Sequence, residues 1–113
     1  MNLLEKASAA VYGERQSAYG PAKQNHERIA ALWSVILGKE VTWQQVIQCM
    51  VAVKLARLIN TPDHEDSWLD IAGYAGAWDQ AYSEQIDEDI LRAFGDETDP
   101  ESAISHPELT SRK

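Results

Sequence analysis

A chain of 113 residues with 44% hydrophobic and 25% charged side chains, six Gly and four Pro has the balance of one globular domain, not of a disordered or collagen-like polymer. No run approaches the ~18 apolar residues that cross a bilayer, and the start, Met1 to Lys6, lacks the basic-then-apolar order of a signal peptide, so no membrane contact and a cytoplasmic location are expected. The single cysteine, Cys49, excludes an internal disulfide and a Cys-based metal cage. The formal net charge of -8 is unevenly spread: residues 1–60 hold seven basic and four acidic side chains, whereas residues 61–113 hold three basic and fourteen acidic ones. Backbone contact with DNA needs a basic footprint, so no direct DNA binding is expected. The basic half suits a small anionic ligand, and the acidic half serves solubility or faces a basic partner.

Asn2 and Glu5 stand three apart as in a capping box, and Leu3, Leu4, Ala7, Ala10 and Val11 follow at helical spacing. The segment from Gly13 to Pro21 interrupts this first helix, with Tyr19-Gly20-Pro21 as a turn signal. The second helix opens near Pro21. Its Ile29, Leu32, Trp33, Ile36 and Leu37 have the spacing of a buried stripe, and Gly38 suits the left-handed residue that ends a helix. Thr42 to Gln45 is a second capping box, opening a third helix whose wide apolar face is made of Val46, Met50 and Val53 with Ile47, Val51, Leu55 and Leu58, and which stops at Asn60-Thr61-Pro62. Cys49, beside Met50, reads as a core residue.

The fourth helix, about 66–85, draws its apolar side from Trp68, Leu69, Ile71, Ala72, Ala75 and Trp78. Gly73 and Gly76 cost it stability and mark a close approach by another helix or a ligand. Trp33, Trp43 and Trp68 read as core anchors. A short fifth helix, Asp87 to Phe94, ends at Gly95, and residues 96–113 read as a flexible acidic tail or an arm on a neighbouring subunit. No segment alternates with period two. The expected fold is therefore all-α: a compact bundle of four to five helices around a central antiparallel hairpin (about 42–60 and 66–85), with one domain over 1–95 and a tail over 96–113.

The chemistry-bearing residues fall into three groups: Arg15, Tyr19-Gly20, Asn25-His26 and Arg28; Lys54 and Arg57; and Asp66, Asp70 and Tyr74. Lys54 and Arg57 share a helix face, as do Asp66, Asp70 and Tyr74. In an antiparallel hairpin turning near Pro62, residues whose numbers sum to about 124 face each other, which sets Lys54 against Asp70 and Arg57 against Asp66. One reading is a pair of ion bridges that fixes the hairpin's register. Buried ion pairs are often not net stabilising, so the other reading is a ligand site. In it, Asp66 and Asp70 hold Mg²⁺ jointly with a substrate's phosphates, Lys54 and Arg57 neutralise phosphate oxygens, Tyr74 or Trp78 stacks on a base, and Asn25 reads its edge. His26 and His64 are weaker candidates for acid–base or metal chemistry, because neither has ligand spacing. His106 lies in the tail and has no assigned role.

Taken together, Arg15, Tyr19-Gly20, Asn25, Ile29-Ala30, Trp33, Lys54, Arg57, Asp66-Ser67, Asp70 and Gly73-Tyr74 resemble the pattern of a family of small phage and prophage proteins, over about residues 12–80. The resemblance implies a phage origin, an all-α fold and a location in the host cell's cytoplasm. A looser similarity extends to all-α nucleotide pyrophosphohydrolases of the MazG and dUTPase type. That likeness implies a nucleotide ligand held at Arg15, Tyr19, Asn25, Lys54, Arg57 and Tyr74, with Asp66 and Asp70 as metal-binding and catalytic carboxylates. The chain departs from those enzymes: Lys54 and Arg57 stand where they carry glutamates, and the later motif is Asp-x-x-x-Asp. The expected function is thus nucleotide handling, with Mg²⁺-dependent hydrolysis if it is an enzyme. The alternatives are a phage anti-defence protein that sequesters a nucleotide signal, and an acidic inhibitor of a host protein. A homodimer that buries part of the second helix's stripe is expected as well.

Overall fold

The computed structural model describes residues 1–14 and 20–95, and these form four helices with no strand among them. Helix α1 spans Leu3–Ala9, α2 Ala22–Leu37, α3 Trp43–Asn60 and α4 Glu65–Gly95. The all-α expectation holds, and both capping boxes form. Asn2 accepts from the Glu5 backbone N–H at 2.8 Å and Glu5 accepts from that of Asn2 at 2.7 Å. Thr42 and Gln45 exchange the same bonds at 3.2 and 2.9 Å. Each box satisfies two of the N–H groups that a helix start leaves unpaired. Past α1 the chain winds on as a π-helical turn, Ala10–Glu14. At the end of α2, Gly38 takes φ 70°, the left-handed conformation that only glycine adopts cheaply.

The expected fourth and fifth helices are one element. Helix α4 begins at Glu65, with His64 ahead of it, and runs 31 residues without a break. Nothing between Gln85 and Asp87 stops a helix: neither Gly nor Pro lies there, and Gln85 bonds Asp89 across one turn at 2.9 Å. The chain divides into two units, Met1–Tyr82 and the residues from Ser83 on. The expected tail over 96–113 lies outside the described residues.

Within the first unit, Ala22, Trp43, Ile47 and Ala81 form the buried cluster, with Tyr74 packed against it. This brings the starts of α2 and α3 onto the middle of α4. Helix α1 runs along α4 in the same direction: Lys6 pairs with Glu65 at 3.5 Å, Val11 lies against Gly76, and the Tyr12 hydroxyl donates to Asp79 at 2.9 Å. Gly76 makes the close approach expected of it, since an added Cβ would sit 3.2 Å from Val11 Cγ2; Gly73 has nothing within 4 Å.

The buried face of α2 is not the expected stripe. Ala22, Lys23, His26 and Ala30 point inward, whereas Leu32, Val35, Ile36 and Leu37 are exposed, Val35 at 81%. Small residues let α2 sit close to its neighbours, which turns its larger aliphatic side chains outward. Of the three expected tryptophan anchors only Trp43 is buried; Trp33 is half-buried and Trp68 is 47% exposed, its indole N–H donating to the Pro62 carbonyl. Cys49 is exposed rather than core, and Val53 and Leu55 of the expected α3 face are exposed as well, because the packed side of α3 turns Trp43, Val46, Ile47 and Leu58 inward.

Candidate functional site

Helices α3 and α4 place the charged residues. The turn between them is tied locally: the Thr61 carbonyl accepts from the His64 N–H, and the His64 carbonyl accepts from Ser67 and Trp68. The His64 ring fixes the first turn of α4 through Nδ1, 2.7 Å from the hydroxyl of the fully buried Ser67. This short connection makes the hairpin antiparallel, and the register read from the sequence follows. Lys54 Nζ lies 2.9 Å from Asp70 Oδ2, with the Lys54 side chain 13% exposed and that of Asp70 37% exposed.

The second expected bridge does not form. Arg57 and Asp66 are both exposed, and no ion pair among the described residues joins them. Helical phase explains the difference. A residue advances about 100° per step. Moving three residues on from Lys54, or four back from Asp70, rotates the side chain by about 40–60°, in both cases away from the seam between the helices.

Arg57 instead opens, with Asn60, Thr61 and His64, into a pocket of about 260 Å³ at the hairpin turn. Every lining residue offers a hydrogen-bond donor and none is a carboxylate. Asn60 Nδ2 donates to the Thr61 hydroxyl at 3.4 Å, which leaves the threonine proton free to point elsewhere. Asn60 and Thr61 are not among the candidate ligand residues read from the sequence, and His64 is only a weaker acid–base or metal candidate there. The available signal was the helix stop one turn after Arg57, which gathers the turn's polar side chains beside it.

The remaining expected residues are dispersed. Asn25 is half-buried in the first turn of α2 and does not line this pocket. Tyr74 packs on the core cluster and lines a separate groove. His26 is buried with Nδ1 2.8 Å from the Ala22 carbonyl, a helix-internal contact. Lys23, also buried, pairs with Glu27 at 2.8 Å. Arg15 and Tyr19 lie outside the described residues. Asp66 and Asp70 stand one turn apart on α4, and among the described residues no group of three or more His, Cys, Asp or Glu is gathered for a metal ion.

Residues 2–82 match the family described as domain of unknown function DUF6378. The chain belongs to this family. Its match ends where the first structural unit ends, at Tyr82. The DUF6378 chain is 38% identical over 86 residues to the Gene 55 protein of Mycobacterium phage D29, covering 76% of this chain and 57% of that protein. It is 44% identical over 77 residues to the Gene 55 protein of Mycobacterium phage L5, covering 67% of this chain and 49% of that protein. The chain thus spans about half the length of these curated relatives. No solved structure matches. The expectation of a phage-type family is thereby supported, and the Arg57 pocket and the hairpin as far as Tyr82 lie within the matched residues. No helix among the described residues is long and apolar enough to cross a membrane.

Proposed function

We propose that this protein binds a small phosphorylated ligand, a nucleotide by class, on the charged side of the α3–α4 hairpin, with Arg57 as the principal phosphate contact. The observation that carries the reading is Arg57 itself: exposed, in no ion pair among the described residues, and facing a pocket lined by Asn60, Thr61 and His64 without a carboxylate. A guanidinium presents paired N–H donors that match phosphate oxygens. Lys54 lies one helical turn away and adds positive charge on the same side, although its ammonium is engaged by Asp70. Mg²⁺ would be held by Asp66 and Asp70 together with the ligand's own phosphates, and would supply charge neutralisation there. Two carboxylates, one of them bound to Lys54, favour holding the ligand over hydrolysing it. In a family with phage members, such a binder would act by withdrawing its ligand from use.

The test is calorimetric titration of the full chain with inorganic pyrophosphate and with nucleoside mono- and triphosphates, with and without Mg²⁺, followed by chromatography of the recovered ligand. Binding that is lost in Arg57→Ala at unchanged thermal stability, with the ligand recovered intact, is the expected result. Equal affinity in Arg57→Ala overturns the site. Mg²⁺-dependent cleavage that disappears in Asp70→Asn would replace binding with hydrolysis.

A further inference from the structure

We infer that the uncharged face of the α3–α4 hairpin pairs with the same face of a second copy of this chain. On α3, Gln44, Gln48, Val51, Leu55 and Ile59 recur at steps of three and four residues; on α4, Trp68, Ile71, Ala75, Trp78 and Tyr82 do the same. Steps of three and four keep each row on one side of its helix. An open groove of about 540 Å³ runs between the two rows, lined by both, with Ile47 and Tyr74 at its floor.

This face is distinct from the charged one. Gln48 and Arg57 are nine residues apart on α3, and Ala75 and Asp66 nine apart on α4; at about 100° per residue each pair lies half a turn out of phase. The groove and the Arg57 pocket therefore look out from opposite sides of the hairpin.

Three observations commit the face to a second copy. The first is the apolar balance of the unit. Among the described residues of Met1–Tyr82, Val11, Trp43, Val46, Ile47 and Leu58 are the buried large apolar side chains, and half of the ten buried hydrophobic residues are alanines. Exposed large apolar side chains outnumber them, and Leu55, Ile59, Trp68, Trp78 and Tyr82 lie on this one face, Ile59 at 86% exposure. A core this thin is completed by association.

The second observation is charge. The chain carries -8, so two copies repel unless they meet where charge is sparse; neither row holds a charged residue, and Asp79 at the rim of the α4 row is engaged by the Tyr12 hydroxyl. A basic partner would choose the acidic surface instead. The third is area. The three partly exposed aromatic side chains offer about 200–350 Å² per copy, at 150–250 Å² for a whole side chain. Leu55, Ile59 and the glutamine rim extend this towards the ~800 Å² per partner of a standard interface. The exposed stripe on α2 has only four aliphatic side chains, about 250 Å², at roughly 60–120 Å² for each whole side chain. Two hairpins stacked through a two-fold axis give a four-helix arrangement in which each row meets its own copy. Trp78 and Tyr82, stacked with ring centroids 5.0 Å apart and 8° between planes, present a flat aromatic step for that contact.

Sedimentation of the full chain across a wide concentration range tests the inference, with helicity followed by circular dichroism. The wild type is expected to sediment at twice the 12.6 kDa chain mass. Ile59→Glu and Trp78→Glu are expected to sediment as monomers, and Val35→Glu on the α2 stripe as a dimer. Should Trp78→Glu lose helicity, Gln44→Glu with Gln48→Glu is isosteric and exposed, and is expected to weaken the dimer at low salt and to recover at high salt. A wild type that stays monomeric overturns the proposal. So does a dimer that survives the hairpin substitutions but is lost in Val35→Glu.

Discussion

Two glycines three residues apart on α4 give a sharp test of how α1 is held. Replacing Gly by Ala inside a helix gains about 1 kcal/mol, because alanine loses less backbone entropy on ordering. At Gly73 an added methyl meets nothing within 4 Å, so the full gain is expected, and a domain of this size should melt about 4–8 °C higher. At Gly76 the same methyl would stand 3.2 Å from Val11 Cγ2. Val11 is buried at 3% exposure and has no open space to retreat into. Overpacking of this kind costs about 1–3 kcal/mol, so Gly76→Ala should come out between neutral and destabilised by about 2 kcal/mol. In a Val11→Ala background the crowding is gone, and Gly76→Ala should recover the gain seen at Gly73. Urea unfolding of wild type, Gly73→Ala and Gly76→Ala, each with and without Val11→Ala, measures this coupling directly. If Gly76→Ala stabilises as much as Gly73→Ala with Val11 in place, the turn that follows α1 is not seated on α4 at Val11.

The Tyr12 hydroxyl has its pKa raised by its hydrogen bond to Asp79, then by burial and by the Asp79 charge. A folded-state pKa above the unfolded value of about 10 means that the contribution is fully present below that pH and is lost as pH rises through the folded pKa. Stability should thus be insensitive to this group at neutral pH and fall in alkali, and Tyr12→Phe should flatten the alkaline limb of the unfolding curve; an unchanged limb would refute the assignment. At the seam of the hairpin, Asp70→Asn leaves the largely buried Lys54 ammonium without its carboxylate, at about 1–2 kcal/mol once partial exposure is allowed for. Lys54→Met leaves the more exposed Asp70, which water can solvate, and should cost less than about 1 kcal/mol. Denaturant midpoints showing the reverse order would contradict the burial difference between the two side chains.

The sequence revealed most where local chemistry decides. Capping boxes, the glycine after α2 and the turn at Thr61-Pro62 depend on a few adjacent residues, and they formed as expected. The Lys54–Asp70 bridge was legible because a short connection and two helical periods fix which residues meet. What was missed depends on the neighbour. Apolar spacing on α2 correctly identifies a helix but not its buried face, since small Ala22 and Ala30 pack inward beside His26 and Lys23, which are partnered by the Ala22 carbonyl and Glu27. The expected break between a fourth and a fifth helix is absent; α4 continues because an exposed helix needs no apolar partner where i, i+4 pairs such as Gln85–Asp89 support it. The Arg57 pocket was half legible: the cation was identified, but its companions belong to the turn.

The two hairpin cations show how helical phase separates a paired charge from a solvent-facing one in one short motif. Lys54 lies at the seam, where its charge is largely out of water and must be met, so the fold uses it with Asp70 to set register. Arg57, one turn on, has rotated off the seam and past Asp66's reach, so its charge stays in solvent at little cost and remains free to meet an anion. A single further rotation, from Arg57 round to Gln48, passes to a side of α3 that carries no charged residue. One hairpin thus carries an ion pair in its seam and an exposed guanidinium on one side, with the two rows that hold no charged residue on the other. Substituting either cation should therefore disturb one property and spare the other: Lys54 the stability, Arg57 the ligand. A variant of Arg57 that lowered stability as much as loss of Asp70 would mean that the arginine, too, belongs to the seam.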